Sequence, residues 1–310
     1  MSKIPNDKRE LPFGSAFAIR DPEVLAVINS FRPATVEIFD DTDIIKTYCN
    51  EFKKWIQSST NNNLTNIEQF KHAVYSNGTT QGFDNFYIKN NSKRFRCLKG
   101  EYMYHQLAWK RYFTNWKFIE DEELKSGDAV VISVPFANTG NKYPLTDNIL
   151  EQCDDLGIPV LIDCAYFGIC KGIELNFDHL CITDVTFSLS KSFSVAYGRI
   201  GIRLTREDDD DLMFIYHKID YNNKIGAALG IKLLEKFTPD YITDKYKSKQ
   251  ILFCEELELT PSQTVLFGLA ENGWDEYRRG GEVSRLSFHK FFHQAGSLRK
   301  LIEGYKINGR

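Results

Sequence analysis

The chain has 310 residues, of which 42% are hydrophobic and 26% are charged, and its formal net charge is −3. That length suits one large domain, or a large domain together with a smaller one. The slight acidic excess predicts no binding surface for nucleic acid or for an anionic membrane. The longest apolar runs are far too short to cross a bilayer, so we expect no membrane among its partners.

Seven cysteines are spread along the chain without a CxxC pair. An odd number without that spacing favours reduced thiols and a cytoplasmic location. Residues 1–10 also lack the apolar core of a secretory signal. The acidic run at 207–211 is expected to be a solvated loop, and we predict no metal site.

From residue 43, apolar runs alternate with stretches of helical length. Apolar spacing predicts a helix at 43–57, and residues 143–157 are long enough for another. The predicted strands are 72–77, 94–102, 129–136, 159–166, 185–190 and 199–204. Such near-continuous apolar strands indicate an α/β fold, with a mostly parallel sheet covered by helices on both faces. The last two strands are joined too tightly for a parallel crossover, so one of them should be antiparallel.

After residue 204 the pattern changes. The predicted elements there are a helix at 222–237, strands at 264–270 and 282–288, and a helix at 296–306. We interpret this part as a smaller α+β region. The predicted division is an N-terminal arm or part of the small domain at 1–42, a large domain at 43–235 and a small C-terminal domain at 236–310.

Polar residues follow the predicted strands at the points where they end. They are Gly78 and Thr79 after the first strand, Asn138 after the third, Asp163 and Tyr166 after the apolar part of the fourth, and Lys191 after the fifth. Ligands of parallel α/β sheets bind outside the carboxyl ends of the strands. The sequence therefore predicts one polar site along this edge of the sheet.

Five short motifs, in this order and with similar gaps, resemble those of the aspartate-aminotransferase superfamily, the fold-type-I pyridoxal-phosphate enzymes. They are NGTTQG (77–82), ANTG (137–140), DCAYFG (163–168), SLSK with RIG (188–201) and SRLSF (284–288). The resemblance extends over most of the chain. It implies a mostly parallel, seven-stranded-type sheet between helices, a small α+β C-terminal domain and a homodimer. It also implies pyridoxal 5'-phosphate as cofactor, with amino acids and 2-oxo acids as substrates.

The resemblance also implies roles for individual residues. Lys191 would form a Schiff base with the cofactor aldehyde and later carry a proton at the substrate α-carbon. Asp163 would keep the pyridine nitrogen protonated, and His105 would support Asp163. Tyr166 and Asn138 would bond the phenolic oxygen of the ring.

The remaining positions serve the phosphate, the ring face and the substrate. The phosphate would be held by Asn77, Gly78, Thr79, Ser188 and Arg199. Tyr102 would cover the ring, with Tyr104 as the alternative. Arg285 would bind the substrate α-carboxylate with its planar fork, with Asn138 close to the substrate.

Two departures from the family pattern stand out. Thr139 follows Asn138 where the family has a proline, and no second arginine for a side-chain carboxylate is identified. Cys164 and Ser190 are expected to serve packing alone.

The leading hypothesis for the function is an aminotransferase. The alternatives are a β-lyase or decarboxylase with the same cofactor, or a non-catalytic protein that binds pyridoxal phosphate.

Overall fold

The computed structural model describes residues 11–208 and 210–294, together with 297, 298 and 300. The helix predicted at 296–306 lies largely outside these residues and stays a prediction. Over the described residues, the helices are α1 (Pro22–Ser30), α2 (Thr35–Asp40), α3 (Ile44–Gln57), α4 (Thr79–Lys89), α5 (Met103–Tyr112), α6 (Thr146–Leu156), α7 (Leu212–Lys218), α8 (Lys224–Lys236) and α9 (Tyr241–Leu257).

The strands fall into a large sheet and two small ones. Over the same residues they are β1 (Asn63–Thr65), β2 (His72–Asn77), β3 (Arg94–Cys97), β4 (Trp116–Phe118), β5 (Asp128–Ser133), β6 (Val160–Asp163), β7 (Glu174–Asn176), β8 (Ile182–Ser188), β9 (Ile200–Thr205), β10 (Thr260–Pro261), β11 (Phe267–Ala270) and β12 (Ser284–Ser287).

The large sheet contains seven strands in the order β2-β9-β8-β6-β5-β3-β4. The strand pairs from β8 through β4 are all parallel. Strand β9 runs antiparallel to both β8 and β2. The predicted α/β fold with a mostly parallel sheet is therefore confirmed, as is the antiparallel strand in the 185–204 pair.

Helices cover both faces of the large sheet. Val130 and Ile132 of β5 belong to one apolar cluster, whereas Ala129 and Val131 of the same strand belong to another. Since successive side chains of a strand point to opposite faces, the two clusters lie on opposite sides of the sheet. Helices α3 and α8 pack against each other in the first cluster, and α4 and α5 flank the second. This double cover explains why β5 and β6 are buried along their whole length.

The C-terminal part forms an antiparallel sheet, β10-β11-β12, with α9 packed beside it. The N-terminal segment attaches to this part, because Ser287 N donates to Phe13 O at 2.9 Å and the Phe13 ring packs against Phe288 and Phe291. The predicted domain boundaries, after residues 42 and 235, stay a prediction.

All seven cysteines are free and buried. Among the helices of the described residues, none has the length and apolar character that a bilayer crossing requires.

Candidate active site

A cavity of about 420 Å³ opens at the carboxyl ends of the parallel strands. Strand β5 ends at Ser133, β6 at Asp163 and β8 at Ser188, and all three residues line the cavity. The predicted site residues among its lining are Thr79, Tyr102, Asp163, Tyr166, Ser188, Lys191, Arg199 and Arg285. The sheet topology thus brings together side chains that are up to about two hundred residues apart in the sequence.

Lys191 lies three residues after the end of β8, and its amine faces the cavity. Its Nζ donates a hydrogen bond to the backbone oxygen of Ala16 and lies 6.0 Å from the centroid of the Tyr166 ring. Burial lowers the pKa of Lys191 from 10.5 to about 8, and the charge of Arg285 acts in the same direction while Asp163 opposes it. A substantial fraction of the amine is therefore neutral near physiological pH, which a nucleophile or a base requires.

Asp163 ends β6 beside a buried histidine. Its Oδ2 lies 3.3 Å from His105 Nε2, and its Oδ1 accepts a bond from Ala165 N at 3.0 Å. The other ring nitrogen of His105 lies 2.5 Å from the hydroxyl of Tyr87. Burial raises the pKa of Tyr87 well above its usual value, so this hydroxyl keeps its proton and can donate it to Nδ1. In that arrangement Nε2 carries a proton that points toward the Asp163 carboxylate.

Arg199 closes the end of the cavity where helix α4 begins. One of its nitrogens, Nη2, donates to Asn77 O and to Thr80 Oγ1, both at 2.8 Å. Gly78 has a φ of 71°, and a Cβ on it would lie 2.3 Å from that same nitrogen. Glycine is therefore required here, both for the backbone conformation and for the close approach of Arg199. The first N–H groups of α4 have no partner within the helix, so this corner suits an anion.

Arg285 comes from β12 and also lines the cavity. It is 5% exposed, its Nη1 donates to Ala137 O at 2.5 Å, and its guanidinium lies 4.4 Å from the centroid of the Phe267 ring. Its Nε is buried and has no partner among the described residues. Tyr166 lies beside it. Burial raises the pKa of Tyr166 while the charge of Arg285 opposes the shift, and the hydroxyl therefore remains a proton donor at neutral pH.

Four predicted residues do not form part of the described cavity lining. His105 lies behind Asp163, and Gly78 lies behind Arg199. Asn77 is exposed, and its contact with Arg199 is made by its backbone oxygen. Asn138 is buried, 3% exposed, and a Cβ on Gly281 would lie 2.6 Å from its Nδ2.

The wall near Asn138 is formed by Pro135 and Ala137 instead. The Asn138 side chain packs against Gly281 and against Gly100, which itself lines the cavity, so Asn138 lies directly behind the lining. Of the two tyrosines considered for the ring face, Tyr102 lines the cavity. Tyr104 donates its hydroxyl to Asp84 Oδ1 at 2.6 Å and is not among the lining residues that the structure describes.

No model of a protein family matches the sequence of this chain, and no curated protein matches it at a significant level. Solved structures, in contrast, match over nearly the whole chain. An aminotransferase from Staphylococcus aureus has a TM-score of 0.67 at 11% identity, covering 95% of this chain and 92% of that one. The chain has an aminotransferase fold.

Two further structures with this aminotransferase fold differ in activity. A pyridoxal-phosphate-bound C-S lyase from Staphylococcus hominis has a TM-score of 0.63 at 12% identity, covering 89% of this chain and 83% of that one. A tyrosine aminotransferase from Leishmania infantum also has a TM-score of 0.63 at 12% identity, covering 92% of this chain and 89% of that one. At such identities the likeness concerns the fold, so the chemistry must be argued from the site.

Several residues that line the cavity were not predicted from the sequence. They are Glu101, Ser133, Arg279 and the segment from Gly14 to Phe17, and also Ser190, which was expected to serve packing alone. Arg279 Nη2 donates to Gly14 O, so this arginine and the N-terminal segment close one side of the cavity together. Glu101 directly precedes Tyr102, and that position was its sole sequence signal.

Proposed function

We propose that the protein is a pyridoxal-phosphate-dependent aminotransferase that moves an amino group between an α-amino acid and a 2-oxo acid. The observation that carries this proposal is the surroundings of Lys191. An amine with a pKa of about 8 faces the same cavity as the Asp163 carboxylate, the Arg199 corner and Arg285. These groups match, in kind and number, what an aldehyde cofactor with a phosphate and an amino-acid substrate would need.

The cavity fits the cofactor on its own geometry. Its volume of about 420 Å³ lies within the usual range of small-molecule sites. At one end, Arg199, Thr80 and the start of α4 offer donors to a phosphate. Elsewhere in the lining, Asp163 would offer a carboxylate to a protonated ring nitrogen. These contacts support pyridoxal phosphate as the ligand.

The chain's own residues then have the following roles. When bound, the cofactor supplies an aldehyde and a ring that withdraws electrons from the substrate α-carbon. Lys191 would take up and return the proton at that carbon, because with a pKa of about 8 its amine is partly neutral near physiological pH. Asp163 would hold a proton at the ring nitrogen, and Tyr166 would donate to the phenolic oxygen. Arg285 binds the substrate carboxylate, and its unpartnered Nε supports this role.

The contacts proposed from Asn77 and Asn138 stay predictions, because neither side chain is in the described lining.

The proposed homodimer is supported by exposed aromatic side chains beside the cavity, above all Tyr197, which is 95% exposed and lies between Ala196 and Arg199. A cytoplasmic location is supported by the seven free, buried cysteines.

A lyase or decarboxylase is the second candidate, because a C-S lyase shares the fold. The test is incubation of the purified, pyridoxal-phosphate-loaded protein with amino acids alone and then with 2-oxo acids. An aminotransferase should convert the bound cofactor to pyridoxamine phosphate and stop until a 2-oxo acid is added. A lyase or decarboxylase would turn over with the amino acid alone and keep pyridoxal phosphate. A protein that stays colourless with added pyridoxal phosphate would contradict the proposal.

The pKa of Lys191 predicts how cofactor uptake depends on pH. The amine attacks an aldehyde in its neutral form, so the uptake rate should rise with pH, reach half of its maximum at about pH 8 and level off above that. Because the charge of Arg285 lowers this pKa, Arg285→Gln should move the midpoint upward. Stopped-flow absorbance at pH 6 to 10 measures the rate. A rate that keeps rising through pH 10, as an ordinary lysine would give, would contradict this assignment.

A further inference from the structure

Glu101 is a buried carboxyl group in the wall of the candidate active site. It follows β3, it is 2% exposed, and it lines the cavity directly before Tyr102. Neither the sequence motifs nor the proposed chemistry gives it a role. A buried carboxylate is costly unless its oxygens are well bonded, so its partners indicate what it does.

All of the bonds that the structure gives to the Glu101 carboxylate come from two neighbours. Ser133 donates twice, from its backbone N at 2.7 Å and from its Oγ at 2.6 Å, and Tyr102 N donates at 2.9 Å. Burial raises the pKa of Glu101, while the nearby His105 and the bonds from Ser133 oppose that shift. Three donors suit an ionised carboxylate, which can accept but not donate. Glu101 therefore ties the loop after β3 to the end of β5.

These bonds belong to a closed circuit of five residues, which we call the Glu101 circuit. Ser133 lies directly beside Asp163 in the register of β5 and β6. Asp163 Oδ2 lies 3.3 Å from His105 Nε2, and His105 N donates to Tyr102 O at 2.9 Å. Tyr102 N then returns to Glu101. Three members of the circuit, Asp163, His105 and Tyr102, are predicted site residues.

We propose that Glu101 is a positioning residue that holds Tyr102 and the Asp163–His105 pair in the arrangement that the cofactor ring requires. This inference rests on the proposed function, because it assigns Tyr102 to the ring face. An apolar residue of similar size would leave the N–H groups of Ser133 and Tyr102 without an acceptor. Glu101 would act on the ligand through those neighbours rather than by touching it.

The test compares Glu101→Gln with Glu120→Gln in the full-length protein. Glutamine keeps one carbonyl oxygen but replaces the other with an N–H donor, so it cannot accept from both Ser133 N and Tyr102 N. Glu120 is a matched control, because it accepts a backbone bond from Lys99 of the same loop at 2.9 Å but is exposed and outside the described lining. Glu101→Gln should weaken pyridoxal-phosphate affinity about tenfold, whereas Glu120→Gln should leave it unchanged.

A second readout needs no cofactor. Hydrogen exchange of residues 98–106 or of Ser133 should become about tenfold faster in Glu101→Gln than in Glu120→Gln, because either Tyr102 N or Ser133 N loses its acceptor. If Glu101→Gln does not fold, Ser133→Ala removes only the Oγ bond and should change both readouts in the same direction by less. Unchanged exchange in both variants would overturn the inference. Failure of the wild type to bind pyridoxal phosphate would instead contradict the proposed function.

A double-mutant cycle with Tyr102→Ala separates positioning from a general loss of stability. If Glu101 acts through Tyr102, Glu101→Gln should weaken pyridoxal-phosphate affinity much less in the Tyr102→Ala background than in the wild type. Fully additive losses of affinity would overturn the part of the assignment in which Glu101 acts through Tyr102.

Discussion

Replacing Lys191 with alanine should abolish the visible absorption band of the pyridoxal-phosphate-loaded protein and lower amine transfer by about 10⁴-fold or more. The large effect follows from two roles in one group. Its amine would hold the cofactor aldehyde, and it would carry the proton at the α-carbon. Of the described residues that line the cavity, Lys191 is the sole lysine. No neighbouring amine in that lining can take its place.

The control for this substitution is Lys236→Ala, which removes an exposed lysine from the last turn of α8. Lys191→Arg is informative as well, because a guanidinium stays charged and cannot act as the neutral nucleophile. Absorbance titration with pyridoxal phosphate and single-turnover kinetics measure the two effects. A Lys191→Ala protein that kept the band and the activity would remove the basis of the proposed function.

Thermal denaturation tells loss of chemistry from loss of fold. Because burial lowers the pKa of Lys191 to about 8, the unfolded chain binds this proton more strongly than the folded one between pH 8 and 10.5. Lys191 therefore makes stability rise with pH in that window and disfavours the fold below it. Lys191→Ala removes this penalty. The Tm of the variant at pH 7 should therefore not fall below that of the wild type on account of the lost charge.

The sheet was predictable because burial on both faces leaves a plain signal in the sequence. Apart from their polar end residues, strands β5 and β6 are wholly apolar, and they lie near the centre of the sheet. Helix α9 was not predicted from the sequence. Its buried residues, such as Ile242 and Phe253, alternate with lysines and glutamates that face solvent, so no apolar run marks it. Its place depends on packing against β10 and β11, which a local pattern does not encode.

Some residues of the candidate site were predictable from the sequence, and others were not. Asp163 and Lys191 come at or just after strand ends, so the parallel topology alone brings them to one edge. Glu101 and Arg279 lie in loops, and they reach the cavity through contacts with Ser133 and with Gly14 that are distant in sequence. Asn138 illustrates the limit of motif reasoning. The motif predicted Asn138 as a ring contact, but Ala137 lines the cavity and Asn138 packs behind Gly100.

Replacing Asp163 with asparagine should lower kcat about 10³-fold while the fold and the binding of substrate are retained. Asparagine has nearly the same shape, so it can still accept the bond that Ala165 N now donates to Oδ1 at 3.0 Å. It has no negative charge, and it cannot hold a proton at the ring nitrogen. Without that proton, the ring withdraws electrons from the substrate α-carbon much less effectively.

Asp154 provides a matched control for this substitution. Like Asp163, it accepts a backbone bond and contacts a histidine, from Cys181 N and His179 Nδ1, both at 2.6 Å, but it lies outside the described cavity lining. Asp154→Asn should therefore lose comparable contacts but leave kcat unchanged. Steady-state kinetics and thermal denaturation of both variants decide the matter. If the two variants had equal kcat values, the charge of Asp163 would serve only its structural contact with His105, whose Nε2 lies 3.3 Å from Asp163 Oδ2 behind the cavity.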